Sequence, residues 1–189
     1  MENKAQHSTP LRSGEGGRGE AEGAEKKCAV FFDRDGTLNI DIHYLHRPQD
    51  FLWTPEAREA IKYVNDKGFL AILITNQSGV ARGYYPEHAV RDLYGWMNGE
   101  LAKIGAHLDA LYYYPHHLEA KLPAYRKVCS CRKPATGLID AACARFSIDR
   151  SKSYFVGDSD SDMLCAQNAG LIGLRYEGGS LLELVANSI

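Results

Sequence analysis

The stretch Cys28-Ala29-Val30-Phe31-Phe32-Asp33-Arg34-Asp35-Gly36-Thr37 decides how this chain is read. Five apolar residues give way to two carboxylates one residue apart, then a glycine. A short apolar run bounded by turn residues fits a buried strand, and Asp and Gly suit the turn after it. The same pattern recurs along the chain. Phe69–Ile74 is a second apolar run, followed by Thr75-Asn76-Gln77-Ser78-Gly79. Leu111–Tyr114, Ser153–Val156 and Leu171–Arg175 predict three more strands.

Helical spacing fills the intervals. Pro55–Asp66 places Ala57, Ile61 and Val64 on one face, with Thr54 as the expected cap, Pro55 at the first position and Gly68 as the stop. Pro86–Ile104, Gly137–Phe146, Ser161–Asn168 and Ser180–Ala186 read as further helices. Strands alternating with helices predict an α/β fold: a Rossmann-like parallel sheet with helices on both faces.

A chain of 189 residues suits one domain. Its 44% hydrophobic and 24% charged residues are ordinary for a soluble globular protein. Lys and Arg total 22 against 24 Asp and Glu, which argues against non-specific nucleic-acid binding. Five cysteines, an odd number, do not suggest a disulfide scaffold. No apolar stretch approaches the ~20 residues that span a bilayer. Residues 1–27 differ from the rest. Only five of them are hydrophobic and five are glycine, so this segment is expected to be a disordered tail, with the folded domain over 28–189. It has no apolar region of a secretory signal, and its glycines do not form a phosphate-binding loop.

Ligands of parallel sheets sit beyond the carboxyl ends of the strands. Three polar clusters follow strands: Asp33–Thr37, Thr75–Gly79 and Gly157–Asp162. A fourth, Cys129-Ser130-Cys131-Arg132-Lys133-Pro134, precedes a helix. Each alone has a bland reading. D-x-D-G is often a plain turn, Gly157-Asp158 a helix start, Lys133 a solvated lysine. An EF-hand fails because the twelfth position from Asp33 is Tyr44, not Glu. Together the clusters suggest phosphoryl transfer. Asp33 and Asp158 suit one Mg²⁺, a hard cation that takes oxygen ligands. One carboxylate can act as nucleophile, and Asp35 as general acid and base. Thr75 and Lys133 can stabilise charge on the phosphoryl oxygens.

These four clusters resemble the motifs of the haloacid dehalogenase-like (HAD-like) phosphatases from Cys28 to about Ala186. The resemblance implies that Asp33 is the nucleophile and Asp35 the acid/base. It implies a Mg²⁺ site from Asp33, Asp158 and the main-chain carbonyl of Asp35, with Asp162 in support. Thr75-Asn76-Gln77-Ser78-Gly79-Val80-Ala81-Arg82-Gly83, Tyr113-Tyr114-Pro115-His116-His117 and the cysteine loop further resemble the D-glycero-D-manno-heptose 1,7-bisphosphate 7-phosphatases. That branch acts on the way to nucleotide-activated heptose for lipopolysaccharide and related glycans. It implies substrate contacts at Asp41, Ile42, His43, Tyr44, Asn76, Gln77, Ser78, Arg132 and Ser159. A histidinol-phosphate phosphatase branch shares the aspartates and the cysteine loop, but the Gly79–Gly83 continuation favours the heptose branch. A catalytically silent binding protein on the same fold is the third reading, and every catalytic carboxylate it would lack is present.

The family also holds zinc through Cys-x-His followed by Cys-x-Cys. Here His116, Cys129 and Cys131 are in place, but Tyr114 stands at the first cysteine position. A structural zinc wants four N/S ligands. Zinc completed by His117 or water, and a metal-free loop, both stay open. The insertions around the motifs are too short for a large cap domain. The expected partner is a small sugar phosphate substrate, with no nucleic acid and no membrane, and the protein is expected to be a cytoplasmic monomer. The anomer preferred at C1, and with it an ADP- or GDP-heptose route, stays open.

Overall fold

A computed structural model describes residues 26–127 and 129–189. Most of the expected tail, residues 1–25, lies outside the described residues. Lys27, at its end, pairs in parallel with Ile148, and its carbonyl accepts from the Asp149 amide at 2.8 Å.

Five parallel strands form one sheet in the order β3-β2-β1-β4-β5. They are β1 (Ala29–Phe32), β2 (Leu70–Asn76), β3 (Ala110–Tyr114), β4 (Tyr154–Gly157) and β5 (Ile172–Arg175). All four residues of β1 are fully buried. A central parallel strand has helices on both faces, so both of its side-chain rows must be apolar. Val30 and Phe32 face one core, with α1 (Ala57–Asp66), α2 (Glu87–Ala102) and α5 (Leu181–Ala186). Ala29 and Phe31 face the other, with α3 (Gly137–Phe146) and α4 (Asp160–Ala169). The expected α/β architecture with helices on both faces is the one observed.

One end differs from expectation. Helix α1 begins at Ala57, not Pro55, and its cap is Glu56 in the left-handed region without a side-chain cap bond. Thr54 is drawn elsewhere: its hydroxyl donates to the Thr37 carbonyl at 2.5 Å. The other end matches. Gly68 has φ +78°, and the Gly68 and Phe69 amides bond the carbonyls of Asn65 and Val64, a Schellman stop.

The chain winds from β1 toward β3 on one side and crosses to β4 on the other. The strand order therefore reverses beside β1, and a crevice opens at the carboxyl ends of β1 and β4. Asp33 follows β1, Asp158 follows β4, and Thr75 lies near the end of β2.

Candidate active site

The fold brings the four clusters to one edge. Lys133 Nζ lies 2.6 Å from Asp33 Oδ1 and 2.6 Å from Asp162 Oδ1, with all three side chains largely buried. The Lys133 amide donates to Asn76 Oδ1 at 3.3 Å, which ties the cysteine loop to the end of β2. Burial would pull the Lys133 ammonium down, but Asp33 and Asp162 together hold its pKa above the usual lysine value.

Asp33 shows the opposite strain. Burial first, then the neighbouring Asp162 and Asp35 carboxylates, push it up to about 7 against the pull of Lys133. Asp158 is raised as well, by burial and by Asp162. One lysine thus faces more negative charge than it can balance.

That surplus is the test of whether a cation fits. Oxygens of Asp33, Asp158 and Asp162 lie within 4.8 Å of one another, the one such group of three ligand-type side chains among the described residues. All donors are carboxylate oxygens, the set a hard divalent cation takes. Asp162 Oδ1 is buried and makes no directed hydrogen bond, so its contact with Lys133 is electrostatic. Gly36 completes the fit. At φ +85° a Cβ there would stand 2.2 Å from Asp158 Oδ2, so only glycine lets the first loop pass this close. The residues present thus fit a divalent cation such as Mg²⁺.

Asp35 is surrounded by donors. Arg34, itself fully buried, donates to both of its oxygens at 2.8 Å and to the Leu45 carbonyl. Asn39 Nδ2 and Gln77 Nε2 add bonds of 3.2 and 3.0 Å. Thr75 Oγ1 accepts from Gln77 Nε2 at 2.8 Å, which leaves its single proton to donate.

A cavity of about 520 Å³ adjoins the site at Asp35. Asp41, His43, Tyr44, Asn76, Gln77 and Ser78 line it, with Tyr85 among the other lining residues. His43 and Tyr44 both adopt positive φ, 59° and 55°. The Asp41 carboxylate, which accepts from the His43 amide, and the edge-on Tyr84 ring against Tyr44 hold them there. Ile42, Arg132 and Ser159 do not line the cavity. Ile42 and Arg132 are exposed, Arg132 with its guanidinium 5.8 Å from the Tyr114 ring centroid. Ser159 is occupied as the cap of α4, where its side chain and that of Asp162 bond each other's backbone amides.

His116, Cys129 and Cys131, the residues the sequence offers for zinc, do not gather into a three-ligand group among the described residues. His116 lies between the Tyr114 and Tyr125 rings instead, and burial followed by Lys127 lowers its pKa. Burial and the neighbouring Cys129 thiol push Cys131 up to about 12. The tyrosine at position 114 fills the first cysteine's place with an aromatic contact rather than a ligand.

Two features escaped sequence reasoning. Asp162 was assigned only a supporting place, although it is the third carboxylate of the cluster. Its signal was the Ser159-x-x-Asp162 spacing of a capping box. Arg34 gave no signal beyond its position between two aspartates.

Known proteins match this arrangement. A HAD-hydrolase-like family model matches residues 130–182, which carry Lys133, Asp158 and Asp162. A D-glycero-beta-D-manno-heptose-1,7-bisphosphate 7-phosphatase of Haemophilus ducreyi is 42% identical over 173 residues, covering 86% of this chain and 94% of its own. The chain belongs to the heptose-1,7-bisphosphate 7-phosphatase family of HAD-like hydrolases. A D-glycero-alpha-D-manno-heptose-1,7-bisphosphate 7-phosphatase of Photorhabdus laumondii is 38% identical over 142 residues, covering 75% of this chain and 78% of its own. The crystal structure of a D,D-heptose 1,7-bisphosphate phosphatase from B. bronchiseptica, in complex with magnesium and phosphate, superposes with a TM-score of 0.72. It is 28% identical and covers 85% of this chain and 87% of its own. The family model's match spans Lys133, Asp158 and Asp162, three of the residues gathered at the carboxyl edge of the sheet.

Proposed function

We propose that this protein is a Mg²⁺-dependent phosphatase that removes the C7 phosphate of D-glycero-D-manno-heptose 1,7-bisphosphate in nucleotide-heptose biosynthesis. One observation carries the chemistry: Lys133 is held 2.6 Å from Asp33 inside a three-carboxylate cluster at the sheet's reversal point. The substrate assignment draws on the heptose bisphosphatases to which the chain is similar.

Asp33 attacks phosphorus through a carboxylate oxygen. The new O–P bond forms as the bond to the C7 oxygen breaks, and an aspartyl-phosphate results. Asp35 gives its proton to the departing oxygen, then takes one from the water that hydrolyses the intermediate. Lys133 and the Thr75 hydroxyl hold the charge on the phosphoryl oxygens. Magnesium, when bound, neutralises the carboxylates and phosphoryl oxygens together, and Asp33, Asp158 and Asp162 would hold it with the Asp35 carbonyl. The loop of Asp41, His43 and Tyr44 shapes the cavity for the sugar. Arg132, permanently charged and exposed near the site loop, suits the second phosphate. Zinc has no role in this proposal. We place the protein in the cytoplasm as a monomer, where phosphorylated sugars are made; no described helix is long and apolar enough to cross a membrane.

The test compares kcat/KM for both anomers of heptose 1,7-bisphosphate with that for histidinol phosphate. A preference for either heptose anomer supports the proposal and assigns the route. A preference for histidinol phosphate overturns it.

A further inference from the structure

Gln77 is buried with every polar atom engaged. Its Nε2 donates to Asp35 Oδ2 at 3.0 Å and to Thr75 Oγ1 at 2.8 Å. Its Oε1 accepts from the Tyr85 hydroxyl at 2.7 Å. The Asp35 oxygen that faces Gln77 accepts, so the Gln77 amide turns its NH₂ toward it. Its carbonyl then faces away and needs a donor of its own. Tyr85 is that donor.

Tyr85 is built into place. Its ring is buried, and burial pushes the phenol up to about 12, which keeps its proton on. The His46 ring stacks on it at 4.7 Å and 13°. Gly79 makes room on another side, where a Cβ would stand 2.4 Å from the ring. No contact of Tyr85 with the three-carboxylate cluster is needed for it to matter.

We infer that Tyr85 is a positioning residue for the acid/base: its hydroxyl locks the Gln77 amide in the orientation that donates to Asp35. The inference rests on the phosphatase reading, in which Asp35 protonates the leaving oxygen. Tyr85 exchanges no proton with substrate. Removing its hydroxyl leaves the buried Gln77 carbonyl without a donor, and the amide gains reason to rotate. Arg34 and Asn39 still hold Asp35, so the loss is partial.

The experiment measures kcat/KM for heptose 1,7-bisphosphate and for para-nitrophenyl phosphate. This constant covers the steps up to the aspartyl-phosphate. A sugar alkoxide leaves only with a proton, whereas nitrophenolate leaves without one. Tyr85→Phe is expected to lower kcat/KM for the sugar phosphate by roughly tenfold, a fraction of the ~10²–10⁴-fold that a positioned acid supplies, through kcat rather than KM. The loss on the aryl phosphate is expected to be at least about fivefold smaller. Gln77→Met, close to isosteric, should show the same selective loss, and Tyr85→Phe added to it should do nothing further. Equal losses on the two substrates overturn the inference, as do no loss at all or independent effects in the double variant. Wild-type protein that releases phosphate from neither substrate overturns the phosphatase reading itself, a distinct outcome.

Discussion

Replacing Gly36 by alanine isolates the contact between the first aspartate loop and Asp158. Two effects arise, and they can be separated. Gly36 has φ +85°, where a Cβ costs about 1 kcal/mol whatever surrounds it. The added Cβ also falls 2.2 Å from Asp158 Oδ2 and 2.7 Å from its Cγ. Ordinary contact begins at 3.4 Å, so the carboxylate must retreat by about 1 Å. A displacement of ~1 Å at a reacting centre can cost about 10²-fold in rate. Gly68 supplies the control: its φ is +78°, and nothing lies within 4 Å of its Cβ position. Both alanine variants should lose about 1 kcal/mol in urea unfolding. Only Gly36→Ala should lose about 10²-fold in kcat/KM and need more Mg²⁺ for half-maximal phosphate release. Activity of Gly36→Ala equal to that of Gly68→Ala would refute the reasoning, because Asp158 would then tolerate the displacement.

Other perturbations test the remaining parts. Lys133→Met removes the ammonium that pairs with Asp33 and Asp162 and should lower kcat by about 10²–10³-fold, with no rescue by added Mg²⁺; full rescue would contradict its role at the phosphoryl oxygens. Magnesium should raise the melting temperature of the wild type, because it offsets carboxylate crowding, and should raise it far less in Asp158→Asn. Equal shifts in the two proteins would move the metal away from Asp158. Phe31→Ala empties a fully buried place in the middle of the sheet and should cost about 3–5 kcal/mol, with a melting temperature lower by on the order of 10 °C. A cost below 1 kcal/mol would mean that the core there is not close-packed.

Much of the fold was legible because central parallel strands must be apolar on both faces. Cys28–Phe32 and Phe69–Ile74 therefore stand out as uninterrupted apolar runs before polar residues, and they mark β1 and most of β2. Helix α3 matched its expected bounds, since Gly137 and the apolar spacing fix it locally. Thr54 misled, because a hydroxyl that suits a cap also suits any nearby carbonyl, and Thr37 is brought to it only by the fold. The candidate site's residues were legible from four motifs, each local in sequence. The bonds that orient it were not. Gln77 reaches Asp35 across 42 residues and Lys133 reaches Asp33 across 100, pairings that only the strand order supplies. The zinc question turns on placement too: His116, Cys129 and Cys131 stand at family spacing, but they form no three-ligand group among the described residues, and Tyr114 packs edge-on against His116.

The most direct test is to acid-quench the enzyme during turnover of heptose 1,7-bisphosphate and locate the phosphoryl group by peptide mass spectrometry. A nucleophilic Asp33 places it on the peptide that carries residue 33, and Asp33→Asn neither forms that adduct nor releases phosphate while keeping the wild-type melting temperature to within a few degrees. Undiminished phosphate release by Asp33→Asn, or a phosphoryl group found on another residue, would contradict it.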